Sequence, residues 1–279
     1  MNNDGKIQAC TEEDPQSRTR LLLGDEAVET LRRASVLVIG LGGVGAYAAE
    51  CIARAGVGHM VIADGDRLHP SNLNRQLPAL HSTLGRFKAD VIGERLLDIR
   101  PELKLDIVCR YLKDQPMVDL LQSEKFDYVV DAIDTLSPKI YLLYHCSHLG
   151  LKVVSAMGTG GKTDPSQLTV CDISQTYNCP LADVLRKRLH KLGVYTGIQS
   201  VFSPEKIREG AVCEVQDEEN KKSRVGTVSY MPSIAGCLCA SVVIRELCGE
   251  KVSSDLPVPL SVRRKISYIR KSEKDIDNN

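Results

Sequence analysis

The chain has 279 residues, 43% of them hydrophobic, with 36 basic and 36 acidic side chains and no tryptophan. That length supports one large domain, or two intimately joined ones, with a proper core. Zero net charge excludes a global pull toward nucleic acid, and 4% aromatic content excludes a stacking platform for single strands.

Residues 1–17 are polar and read as a flexible arm with no hydrophobic signal region. Glu26 to Arg33 has the pattern of a short amphipathic helix. Short β-branched runs follow at 35–39, 59–63, 105–109, 127–133 and 151–157, as buried parallel strands require. Helical patterns fill the gaps at about 44–55, 82–99, 115–124 and 138–149, the last opening on Ser137-Pro138. This alternation predicts an α/β fold, a doubly wound, Rossmann-like, mostly parallel sheet. Ligands then belong at the carboxyl ends of its strands.

Residues 18–155 are expected to form the nucleotide-binding core, and 156–279 a C-terminal α/β extension of the same domain. The extension reads as a strand at 167–173, a basic helix at about 180–192 and a strand at 199–202. A charged loop at 215–224, a helix over 232–248 and a strand at 265–269 complete it. The apolar stretch Ser233 to Leu247 spans about 15 residues, short of the roughly 20 that a membrane span needs, and reads as a buried helix. Ten cysteines without an extracellular signal point to a reduced, cytoplasmic setting rather than a disulfide framework.

Ser35 to Gly45 carries the strongest motif. A strand runs into Gly40, Gly42, Gly43 and Gly45, a turn that lets the backbone approach phosphate at a helix N-terminus. Asp64, 24 residues beyond Gly40, fits the acid that grips a ribose hydroxyl. The plainer reading is a turn acid, with Asp66 shaping the same turn. Alone, these features suggest a dinucleotide site. Asn72, Asn74, Arg75, Gln76 and Lys88 change that, since they bring two cations and several amides to a polyphosphate. Hydride transfer has no use for them, so ATP is the better ligand. The amides could instead cap helices, and Lys88 could be a solvated helix residue. Asp131 and Asp134 follow a buried strand and fall at its ligand-facing end.

These segments together resemble the ubiquitin-activating-enzyme-like adenylating family. Ser17 to Gly24, Asp131 to Asp134, Met157 to Gly160, Asp164-Pro165, Cys179 to Ala182, Val201 to Ser203 and Pro232 to Gly236 carry a narrower resemblance to one branch of it. The resemblance covers about residues 18–250. It implies ATP with Mg²⁺, Arg75 and Lys88 stabilising the departing pyrophosphate, and Asp134 holding the metal. It also implies a homodimer in which Arg18 of one chain reaches the ATP phosphates of the other. The nearest branch acts on tRNA carrying threonylcarbamoyladenosine at adenosine 37. There a carboxyl is adenylated and then captured by the neighbouring carbamoyl group, with net loss of water. A sulfur-relay protein is a further partner that this branch implies.

Two other readings stand beside it: a sulfur-carrier protein adenylyltransferase on the same fold, and a nicotinamide-dependent dehydrogenase. The sulfur-carrier activators usually carry two Cys-x-x-Cys pairs for structural zinc. Here the tightest spacing is Cys237 to Cys239, so no structural zinc is expected. Cys179, just ahead of Pro180, falls at a helix start and suits a nucleophile. A small buried apolar residue is the preferred reading, since direct ring closure needs no thioester. Arg186, Lys187, Arg188 and Lys191 lie on one helix and could face a tRNA backbone or simply solvent.

Overall fold

The computed structural model describes residues 14–214 and 223–252. The strand expected at 265–269, most of the charged loop and most of the N-terminal arm lie outside the described residues. Strands β1 (Ser35–Ile39), β2 (His59–Ala63), β3 (Lys104–Val108), β4 (Tyr128–Asp131), β5 (Val153–Ala156), β6 (Thr169–Asp172) and β7 (Gln199–Phe202) make one sheet. Their order is β3-β2-β1-β4-β5-β7-β6, parallel throughout except for the antiparallel β6–β7 edge. Strands β6 and β7, from the C-terminal half of the chain, thus continue the sheet begun by the N-terminal half.

Side chains alternate across a strand, so β1 feeds two cores. Val36 and Val38 pack with α3 (Gly45–Ala55), α4 (Lys88–Ile99) and α8 (Tyr230–Leu247). Leu37 and Ile39 pack on the other face with α5 (Gln115–Gln122), α6 (Leu136–His148) and α7 (Pro180–Lys191). All five residues of β1 are buried, as a central parallel strand requires.

The helix expected from about residue 82 begins at Lys88. Leu84 and Phe87 have extended backbones, and Phe87 forms a β-bridge with Arg67, so the chain straightens before it coils. Two helices precede the sheet, α1 (Ser17–Leu23) and α2 (Asp25–Arg33). A short antiparallel pair, β8 (Val212–Glu214) and β9 (Ser223–Val225), flanks the charged loop.

Helix α8 is long and apolar enough to cross a membrane by length and composition. Its apolarity has a different cause here. It packs against α3 so closely that a Cβ on Gly236 would lie 2.3 Å from the Val44 carbonyl oxygen. Met231, Ala235, Cys239, Ala240, Val242 and Val243 are buried along it, so this is a core helix.

Candidate active site

Strand β1 lies between β2 and β4, whose crossovers run to opposite faces, and the crevice of an open α/β sheet forms at such a switch point. The turn after β1 fills that crevice with backbone alone. Gly40 has φ +88°, and a Cβ there would meet the Ala132 carbonyl oxygen at 2.6 Å. A Cβ on Gly45 would sit 1.7 Å from the Gly40 carbonyl oxygen. Gly42 and Gly43 face other neighbours: the Gln76 amide, 3.6 Å from a Cβ built on Gly42, and Pro232 of α8, 3.1 Å from one on Gly43. The turn is therefore a narrow cradle between the crossover after β2 and the start of α8.

Asp64 braces this cradle. One carboxylate oxygen accepts the Leu41 amide at 2.7 Å, and the other accepts the Asp66 amide at 2.7 Å. Burial pushes its carboxyl above the usual carboxylate range, against the opposing pull of Lys88. Asp66 turns to Lys88, whose ammonium lies 2.7 Å from its Oδ2. Lys88 is only 6% exposed at the first position of α4, so it is not a solvated helix residue. Arg75 is held by two acceptors, the Ser71 carbonyl and the Asn74 side chain, each at 2.9 Å.

The three amides divide. Asn72 accepts the His69 amide at 3.0 Å and caps its own turn. Asn74 ties Arg75 to the Thr227 carbonyl, which it reaches at 3.0 Å. Gln76 is 9% exposed, and its side-chain oxygen has no hydrogen-bond partner among the described residues. Such a buried acceptor beside a glycine cradle fits a nucleotide, whose hydroxyl and amino groups can satisfy it.

Two site residues carry no sequence motif. Tyr111, 73% exposed after β3, donates its hydroxyl to Asp66. That bond, with burial and the charges of Asp66, Asp64 and Asp134, pushes the phenol up to about 12. Lys139 of α6 is fully buried against Asp131, 2.7 Å from its Oδ2. Ser155 and the Ile133 amide complete the acid's hydrogen bonds, so Asp131 braces the loop after β4 from within. Asp134, on the same loop, is exposed.

Other residues lie apart from this cluster. Cys179 is 4% exposed in the core under α7. Arg186 turns inward, donating to the Thr176 carbonyl at 2.8 Å and pairing with Asp183, and burial lowers its guanidinium below the ordinary value. Lys187, Arg188 and Lys191 are exposed. Arg18 is exposed on α1. Neighbouring Gln16 bonds the Arg54 carbonyl near the C-terminal end of α3, the end away from the glycine turn.

A glycine cradle at the switch point, braced by Asp64 and faced by the Gln76 amide, defines a nucleotide-binding α/β protein of the adenylating kind. The chain belongs to the ThiF family, whose model matches residues 15–274. It is 38% identical over 238 residues to the tRNA threonylcarbamoyladenosine dehydratase of Bacillus subtilis (strain 168), covering 83% of this chain and 93% of that one. Its structure is similar to the crystal structure of the Escherichia coli tRNA N6-threonylcarbamoyladenosine dehydratase in complex with ATP. That match has a TM-score of 0.77 and 30% identity, over 87% of this chain and 98% of that one. The sulfur carrier protein ThiS adenylyltransferase of Escherichia coli (strain K12) is 33% identical, over 51% of this chain and 58% of its own length.

Proposed function

We propose that this chain is an ATP-dependent tRNA threonylcarbamoyladenosine dehydratase, which closes the threonylcarbamoyl side chain of adenosine 37 into a ring through a carboxyl adenylate. The observation that carries the reading is the glycine cradle at the switch point, with the Gln76 amide beside Gly42 and Asp64 bracing the Leu41 amide, in a chain similar to such dehydratases over nearly their full length. ATP supplies the α-phosphate that the carboxylate joins and the pyrophosphate that leaves. Backbone amides of the cradle and the N-terminus of α3 favour the phosphates. Arg75 and Lys88 stabilise the charge that builds on the departing group, and Asp134 holds Mg²⁺. Asp64 offers its remaining lone pairs to the ribose. Cys179 stays out of the chemistry, because its sulfur is buried and the carbamoyl group can close the ring directly.

A homodimer with Arg18 acting in trans belongs to the same reading. Helix α3, at 11 residues, separates the Arg18 end from the glycine turn by about 16 Å. An arginine side chain cannot cover that span, so Arg18 serves a second copy or none. The reading also places the protein in the cytoplasm, with tRNA and ATP. The decisive test incubates it with ATP, Mg²⁺ and threonylcarbamoyl-modified tRNA, followed by nucleoside mass spectrometry. Loss of one water from the modified nucleoside is expected. An unchanged nucleoside, with transfer of AMP to a sulfur-carrier C-terminus instead, would favour the sulfur-carrier reading.

A further inference from the structure

Asn74, next to Arg75 in the chain, lines a cavity of about 470 Å³ that the ATP chemistry above does not use. Three loops frame it through backbone bonds. The Gly161 amide donates to the Gly226 carbonyl at 2.7 Å, the Arg208 amide to the Gly161 carbonyl at 2.8 Å, and the Gly226 amide to the Ala211 carbonyl at 2.8 Å. The Tyr230 hydroxyl, at the start of α8, adds a bond to the Thr163 carbonyl at 2.9 Å. These bonds fix the walls.

The lining is largely apolar, with Ala211, Val228 and backbone, and carries the hydroxyls of Thr163, Thr227 and Ser229, the Asn74 amide and two cations, Lys162 and Arg208. Among the described residues no acidic side chain lines it. The nearby Glu205 is withdrawn, since its carboxylate accepts the Thr163 and Asp164 amides. Lys162 is 2% exposed and tied to the Ser203 carbonyl at 2.5 Å, and burial lowers its amine below the ordinary value. Arg208 is different. It is exposed, and its guanidinium makes no hydrogen bond or ion pair with any described residue. Asn74 joins this cavity to the cradle: it lines the cavity, bonds Thr227 across it, and accepts from Arg75.

We propose that this cavity is the acceptor pocket for the modified nucleotide and that Arg208 binds an anionic oxygen of it, as a specificity-determining residue. The inference rests on the dehydratase reading. A planar guanidinium suits either anion that such a substrate brings, the threonylcarbamoyl carboxylate or a flanking phosphodiester. The shared wall at Asn74 sets a carboxylate in this cavity one residue from Arg75, on the side where the nucleotide phosphates belong.

The test measures affinity for modified tRNA, alongside affinity for unmodified tRNA and for ATP. Arg208→Ala should weaken modified tRNA about tenfold, as expected for one charged hydrogen-bonded contact, with melting temperature and ATP affinity unchanged. Arg208→Lys should recover part of the loss. A loss confined to modified tRNA assigns the contact to the carboxylate; an equal, salt-dependent loss for both tRNAs assigns it to phosphate. Wild-type affinity in Arg208→Ala, with wild-type protein binding modified tRNA normally, overturns this inference alone. Failure of the wild-type protein to bind modified tRNA at all overturns the dehydratase reading and this inference with it.

Discussion

Two aspartate–lysine pairs flank β1, one after β2 and one after β4, and both close at 2.7 Å. Their surroundings make them different devices. Asp131 and Lys139 are both 0% exposed, whereas Asp66 is 45% exposed beside a nearly buried Lys88. Separating a fully buried pair leaves charges in a low-dielectric interior, so Asp131–Lys139 is permanent bracing. Asp66 can rehydrate, so the Lys88–Asp66 pair can open without stranding a buried carboxylate. Equal distances therefore say little about role; the access of water to one partner decides it.

The sharpest way to break this comparison is to remove the buried cation. Lys139→Met should cost about 3–5 kcal/mol of stability in denaturant melts, because Asp131 is left without a counter-charge. The pair Lys139→Met with Asp131→Asn should restore part of it. Wild-type stability in the single variant would deny the bracing role. Lys88→Ala should behave in the opposite way. ATP–pyrophosphate exchange should fall about a hundredfold, as for loss of one preorganised charge contact. Stability should change by about 1 kcal/mol or less, since Asp66 is half open to water. Arg75→Ala should give a similar rate loss. Near-normal turnover in both would remove the ATP assignment.

Helix α7 repeats the contrast on a smaller scale. Arg186→Ala should destabilise by about 1–3 kcal/mol through loss of its charged bond to the Thr176 carbonyl, with tRNA affinity unchanged. Replacing Lys187, Arg188 and Lys191 together by alanine should do the reverse, lowering tRNA affinity and flattening its salt dependence at constant melting temperature. Any tRNA-binding loss from Arg186→Ala alone, without destabilisation, would place it on the outer face after all. The smallest effect belongs to Cys179→Ser, where single-turnover dehydration should stay near wild type. Complete loss with AMP still released would revive a thioester route.

The alternation of strands and helices and the position of the glycine turn were legible because both are written locally. β-branched runs of strand length, a cluster of glycines and the Asn-Arg-Gln segment each occupy neighbouring residues, and the backbone demands at Gly40 and Gly45 exclude larger side chains. The roles within the cluster were less legible. Asn72 and Asn74 look alike in sequence, yet one caps a turn and the other ties Arg75 to Thr227. Arg186 and Lys187 are adjacent cations, and only the packing of α7 turns one inward.

By itself, then, the sequence determined the sheet's parallel alternation, the position of the glycine turn and the presence of a polyphosphate-type set of cations, since these depend on short-range pattern and steric necessity. The tertiary structure alone decided which charges are buried. Lys139 meets Asp131 only because α6 folds back under β4. Tyr111 meets Asp66 only because β3 pairs with β2. Arg208 and Asn74 line one cavity only because loops far apart in sequence bond at Gly161 and Gly226. Burial and pairing are properties of contacts between distant segments, and no local window of residues contains them.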